Sequence, residues 1–185
     1  GNTTVRFNIE TKITPDKPNE TLPPEAFAEA VVKVVREAKM EKRVAIQSFD
    51  WRTLAAVQKM APEIETVALT MQRPGGGNVQ AGAPGASPSL GGLDVDDFGG
   101  SVPKVVKASG ARVWSPNWGD VVAAQVEEAH GLGLKVIPWT INESADMERF
   151  VDMGVDGIIT DRPDRLREVL KKKNLRLPNP TPVQP

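Results

Sequence analysis

The chain has 185 residues, 39% of them hydrophobic and 25% charged, which is enough for one globular domain with a sizeable core. Its 23 basic and 24 acidic residues leave a net charge of −1, which excludes the electrostatic footprint of a nucleic-acid or anionic-membrane binder. The absence of cysteine excludes disulfide frameworks, Cys-ligated zinc and thiol nucleophiles but leaves the compartment open between cytoplasm and periplasm, and no apolar stretch is long enough for a transmembrane segment.

In chain order the pattern is strand, then helix, repeated. The alternating run Arg6 to Lys12 predicts a strand, and after a proline-rich loop Phe27, Val31, Val34, Val35 and Ala38 fall on one helical stripe. Val44 to Phe49 reads as a buried strand, with Asp50 as N-cap of a helix carrying Leu54, Val57 and Met60 that Pro62 stops. A third strand over Glu65 to Thr70 is followed by a Gly/Pro/Ser-rich stretch from Gln72 to Gly100 and a short helix over Val102 to Ala108. The composition of 72–100 buries little apolar surface, so an irregular insertion is expected there, on the face where such loops carry function. Ala111 to Pro116 is a fourth strand, and Val122, Gln125, Val126 and Ala129 are spaced for a helix ending at Gly131 to Gly133. Leu134 to Thr140 is a fifth strand, followed by a helix from Asn142 or Ser144 through Met147, Phe150 and Val151. Gly154 to Asp161 is a sixth, followed by a helix from Pro163 with Leu166, Val169 and Leu170 inward. Residues 1–177 are expected to form a single domain, and 178–185 a proline-rich tail.

Six consecutive βα units imply a parallel sheet with right-handed crossovers, either doubly wound or part of a (β/α)8 TIM-type barrel. Polar residues collect where apolar runs end: Glu10 and Lys12, Gln47 and Ser48, Trp114 and Ser115, Trp139 and Thr140, and Asp161. Barrel sites lie at the C-terminal ends of strands, and no glycine-rich dinucleotide fingerprint follows the first strand, so the reading is a barrel, incomplete by two units.

The segments FNIETK with Glu10 and Lys12, Val44 to Leu54, Val136 to Asn142 and Gly154 to Leu166 together resemble the second part of the glycerophosphodiester phosphodiesterase family. The resemblance implies a (β/α)8 barrel whose third to eighth strands are the six here. It also implies hydrolysis of glycerophosphodiesters to glycerol 3-phosphate and an alcohol with a divalent cation, Mg²⁺ or Ca²⁺, and two histidines. By it, Glu10 matches a metal ligand, Lys12 lies beside the substrate phosphate and Trp139 lines the glycerol-phosphate pocket. The His-Arg-Gly motif, the Glu-x-Asp metal pair and the further histidine of the family's first two strands do not occur in this sequence.

Bland roles compete with these. Glu10 and Lys12 could be a surface ion pair, Trp139 a core residue, and Gln47 and Ser48 either substrate contacts or partners of buried backbone groups. Asp161 reads as an N-cap, Trp51 and Trp118 as packing or rim residues, and His130, the one histidine, as a helix C-terminal residue suited to the dipole. Two functions follow. In the first, the chain is a fragment of a phosphodiesterase, inactive without the N-terminal part that carries the histidines, and its partner is that missing part or another copy through self-association. In the second it is a truncated, non-catalytic relative serving as a binding or assembly module.

Overall fold

The structure, a computed structural model, describes residues 4–73 and 76–177; the expected tail over 178–185 lies outside the described residues. Five parallel strands lie side by side in chain order: β1 (Phe7–Glu10), β2 (Val44–Ser48), β3 (Glu65–Thr70), β4 (Val113–Pro116) and β5 (Lys135–Val136). The register pairs Glu10 with Gln47, Gln47 with Val67, and Val67 with Val113, so these side chains share one face of the sheet. Helices α1 (Pro24–Glu37), α2 (Trp51–Met60), α3 (Val102–Ala108), α4 (Ala123–Gly131), α5 (Ser144–Asp152) and α6 (Pro163–Lys172) follow the strands in turn. This is an α/β fold of the incomplete (β/α)8-barrel type, with helices outside and a concave sheet face inside.

Alternation along the strands divides the core in two. On the outer face Ile46, Ala68, Trp114 and Val136 join Val32 and Val35 of α1, Leu54 and Val57 of α2, and Met147 and Phe150 of α5 in one contiguous apolar cluster. Trp114 is fully buried and donates Nε1–H to Thr70 Oγ1 at 2.8 Å, so its polar atom is satisfied inside that cluster. On the inner face Val67, Leu69 and Val113 are buried outside the cluster, and Val67 and Val113 border a concavity of about 350 Å³ with Ser115 and Ile137. At its floor Glu65 meets Lys135 at 3.3 Å and Arg6 at 3.9 Å.

The sixth expected strand is laid against β5 without forming a regular ladder. Asp156 N–H donates to the Val136 carbonyl and Ile159 N–H to that of Pro138, while the Ile159 carbonyl accepts from Ile141 N–H. A parallel ladder would return that last bond from residue 140; one extra residue between Pro138 and Ile141 breaks the repeat, and Pro138 has no N–H to offer. Toward β4 the ladder stops after two residues of β5 because Pro116 has no N–H for the Ile137 carbonyl, which accepts from Ser115 Oγ instead, and the pairing resumes in a bridge of Trp139 to Asn117.

The glycine-rich stretch has no α-helix or strand over 76–100, as its composition predicts, yet it is anchored. The Asn78 carboxamide accepts from Met71 N–H at 2.9 Å and donates to the Phe49 and Leu69 carbonyls at 3.0 and 2.9 Å. Ser87 donates Oγ–H to the Asn78 carbonyl, and Val79, Leu90 and Val95 are buried. A glycine is required at 77 by close approach, because a Cβ there would lie 2.1 Å from the Met71 carbonyl oxygen.

Asp50 caps α2 as its sequence position predicts, accepting from Arg52 N–H at 3.1 Å while the Arg52 guanidinium reaches both carboxylate oxygens. That pairing holds the guanidinium pKa above its ordinary value. Asp50→Ala is expected to lower unfolding free energy by about 1–2 kcal/mol and Asp50→Asn, which retains a capping oxygen, by less; urea titration of the two variants checks the order. Asn78→Ala strips the Met71 N–H and the Phe49 carbonyl of their partner and is expected to cost about 2–3 kcal/mol, with faster proteolytic nicking inside 76–100 than elsewhere.

Candidate active site

The C-terminal end of β1 is fixed by its neighbours before any site chemistry enters. Thr11 N–H continues the pairing to the Gln47 carbonyl at 2.9 Å, and the buried Thr11 side chain turns outward, its Oγ1 lying 3.1 Å from Thr53 Oγ1 at the start of α2. Ser48 is fully buried; its Oγ donates to the Thr11 carbonyl at 2.8 Å and accepts from Asp50 N–H at 3.1 Å. With Thr11 held outward, alternation turns Glu10 and Lys12 to the inner face.

Glu10 and Lys12 border a pocket of about 370 Å³ at the C-terminal ends of the strands. Glu10 Oε2 lies 3.9 Å from Lys12 Nζ, and the Lys12 side chain is 80% exposed, so the pair is loose and the ammonium is available to an anion. Gln47, opposite Glu10 on β2, accepts at Oε1 from Asn8 Nδ2 at 2.6 Å, which orients its carboxamide toward β1. Phe49 and Met71, just past the ends of β2 and β3, supply apolar wall, and Ser89 reaches the pocket from the glycine-rich stretch. Trp139 is not at the pocket itself. Its ring meets that of Phe49 edge-on, 5.4 Å between centroids and 87° between planes, while its Nε1–H donates to the Ser115 carbonyl at 2.9 Å. Of the four candidate residues, Glu10 and Lys12 therefore share one pocket, Trp139 reaches it through Phe49, and Gln47 stands next to Glu10 in the sheet.

The remaining sequence candidates lie in structural roles. Trp51 is buried and donates Nε1–H to the Leu69 carbonyl, and Trp118 is 37% exposed at the rim. His130, in the last turn of α4, lies 3.0 Å from Asp156 Oδ2, an oxygen that also accepts from Val136 N–H near the start of β5. It is thus at the end of the sheet opposite the pocket. Asp161 does not cap α6: it accepts from Asn142 Nδ2 at 3.0 Å, and the helix begins with Pro163 after Arg162. Arg162 instead grips Asp164 of the first turn, depressing that carboxyl to about 2.

Sequence reasoning passed over Phe49, Met71, Asn78 and Ser89. The first two carry a usable signal, since each directly follows an apolar strand. Asn78 and Ser89 sit in a glycine-, proline- and serine-rich stretch where nothing in the local pattern distinguishes them.

The donor set can be tested against a divalent cation. Ca²⁺ takes six to eight oxygen ligands with several carboxylates or carbonyls among them, and Mg²⁺ takes six, one or two of them carboxylates and the rest waters or substrate oxygens. Among the described residues Glu10 is the single carboxylate at the pocket, and no three His, Cys, Asp or Glu side chains gather into a group that could hold a metal ion. These residues do not by themselves fit a resident cation. What the arrangement can do is attract a phosphate through Lys12 and seat an organic group against Phe49 and Met71.

The sequence matches the Glycerophosphoryl diester phosphodiesterase family over residues 2–165. A glycerophosphodiester phosphodiesterase of Caldanaerobacter subterraneus subsp. tengcongensis is 30% identical over 146 residues, 78% of this chain and 49% of that protein. The uncharacterized protein YqiK of Bacillus subtilis is 30% identical over 169 residues, 90% of this chain and 57% of that protein. Among solved structures, a Silicibacter pomeroyi protein assigned to the glycerophosphoryl diester phosphodiesterases superposes with a TM-score of 0.73 at 34% identity, covering 92% of this chain and 51% of that one. A phosphodiesterase of Oleispira antarctica in complex with the product sn-glycerol-3-phosphate shares the fold, with a TM-score of 0.63 at 15% identity over 90% of this chain and 55% of that one. The chain spans about half the length of the curated relatives it matches. With a parallel barrel-type sheet, a pocket at its C-terminal rim and a family match across most of its length, this chain belongs to the glycerophosphoryl diester phosphodiesterase family.

Proposed function

We propose that this chain supplies the phosphate-binding part of an enzyme that hydrolyses glycerophosphodiesters to glycerol 3-phosphate and an alcohol. The observation that carries the reading is the juxtaposition of Glu10 and Lys12, two residues apart on one strand, at the mouth of a pocket on the C-terminal rim of a parallel sheet. Lys12 Nζ binds a phosphodiester oxygen as a point charge. Phe49, backed edge-on by Trp139, forms the wall for the glycerol group, and Gln47, beside Glu10 in the sheet, is a further substrate contact. Glu10 offers one oxygen donor to a divalent cation, Mg²⁺ or Ca²⁺, whose other ligands come from outside the described residues.

Proton transfer is the step that this pocket does not complete: with Glu10 given to a cation, no described residue lining it is left as acid and base. Breaking the phosphodiester needs a base for the attacking water and an acid for the departing alkoxide. His130 is at the wrong end of the sheet, and Lys12 is engaged with the phosphate. The acid and base are therefore supplied by a partner, the N-terminal part of the barrel, which pairs with the free edge of β1; without it that edge favours self-association. The shortage of proton-transfer groups also favours a second reading, a non-catalytic binding or assembly module.

Two outcomes are expected. The isolated chain gives no detectable hydrolysis of glycerophosphocholine with Mg²⁺ or Ca²⁺, the general acid–base contribution alone being about 10²–10⁴ in rate, and the segment carrying the family's first two strands, added in trans, restores turnover. Release of glycerol 3-phosphate followed by ³¹P NMR reads this, and failure of complementation by a segment that demonstrably binds selects the module instead. In the full-length protein, Lys12→Ala lowers kcat/KM by about 10- to 100-fold, the value of one charge-assisted hydrogen bond. An unchanged kcat/KM would remove Lys12 from the site.

A further inference from the structure

The pocket beside Glu10 and Lys12 has a second wall, made by the glycine-rich stretch, and its polar groups are unequal. The Asn78 carboxamide is fully engaged with Met71, Phe49 and Leu69 backbone groups, and the Thr11 hydroxyl with Thr53. Ser89 differs. It borders the pocket half-buried, and its hydroxyl has no hydrogen-bond partner among the described residues. It is also held firmly in place. It lies in the 3-10 turn Pro88–Leu90, between Ser87, which is buried and tied to the Asn78 carbonyl, and Leu90, which is 1% exposed. Leu90 N–H closes the turn on the Ser87 carbonyl at 3.0 Å, and a turn pinned on both sides leaves Ser89 little freedom to move away.

We propose that Ser89 is a specificity-determining residue that hydrogen-bonds a hydroxyl on the alcohol group of the substrate, so that the site selects glycerophosphodiesters of polyhydroxy alcohols over those of alcohols without a free hydroxyl. This rests on the phosphodiesterase reading above and extends it. A phosphate on Lys12, with its glycerol group against Phe49 on the side backed by Trp139, leaves the alcohol to extend along the pocket toward Ser89. A fixed, half-buried hydroxyl without a partner discriminates, because an alcohol that offers no hydrogen bond displaces its water and returns nothing. Met71, which lines the same pocket, gives the carbon skeleton an apolar surface.

The test uses the full-length protein and a matched pair of substrates, glycerophosphoglycerol and its analogue in which n-propanol replaces the departing glycerol, in direct competition followed by ³¹P NMR. The wild type is expected to prefer the glycerol substrate by about tenfold in kcat/KM. Ser89→Ala should abolish that preference through the glycerol substrate alone, leaving the propyl substrate unchanged, and Ser89→Thr should retain it. Thermal melts of both variants show whether the turn is intact. An equal fall for both substrates would assign Ser89 to the glycerol group that they share and overturn the proposal, as would a preference that survives Ser89→Ala. No turnover of either substrate by the wild type would overturn the phosphodiesterase reading itself and this inference with it.

Discussion

Everything at the pocket depends on the two-residue period of a parallel strand. The outer side chains of β2 to β5 must be apolar or hydrogen-bonded, because helices pack against them; Ile46, Ala68, Trp114 and Val136 meet that demand in succession, and Thr70 is paired with Trp114. The alternate positions are thereby released from it. Glu10 and Gln47 can occupy the inner face because Ile9 and Ile46, their neighbours in the chain, turn the other way and pack in or against the helix-side cluster. Period alone, however, does not fix a polar group at the last residue of a strand, where the ladder ends.

That fixing comes from the turn between β2 and α2. Ser48 and Thr53 bind the outer side of the β1 terminus, Asp50 binds the start of α2, and Thr11 links the two. Each bond contributes about 1 kcal/mol net, and all four residues are buried with their hydroxyl and carboxylate groups partnered, so the cluster holds the strand end without leaving a buried polar side chain unsatisfied. Glu10 and Lys12 inherit their direction from this cluster while remaining loosely coupled to each other.

Much of this was legible in the sequence, for physical reasons that differ by element. β2, β3 and β4 are short, largely apolar runs, β3 and β4 almost wholly buried and β2 buried on its helix-facing side, and the Asp50 cap is a strong local signal, so these were readable at once. Glu10 and Lys12 could be singled out because they end such a run and match a family motif. The sixth strand was harder, because its apolar residues are present but the backbone beside it carries Pro138 and an extra residue that no composition reveals. Asp161 has the residue type of a cap, yet Asn142, 19 residues away in the chain, competes for its carboxylate. Asn78 and Ser89 were invisible because their roles come from where the excursion folds back on Met71 and Phe49, a tertiary fact with no local period.

The carboxylate of Glu65 has a consequence of a different kind. It lies between Arg6 and Lys135, so cations from the first and fifth strand positions converge on an anion from the third, skipping the strands between. A slip of one residue in β3 would carry Glu65 through the sheet into the apolar layer beneath the helices, and a slip in β5 would do the same to Lys135. Ion pairs at these distances add little to stability. Their value lies in rejection: a misaligned sheet would bury an unpaired charge at a penalty of several kcal/mol, so three charged residues at the floor of the concavity proofread the alignment of the strands whose opposite ends carry the pocket.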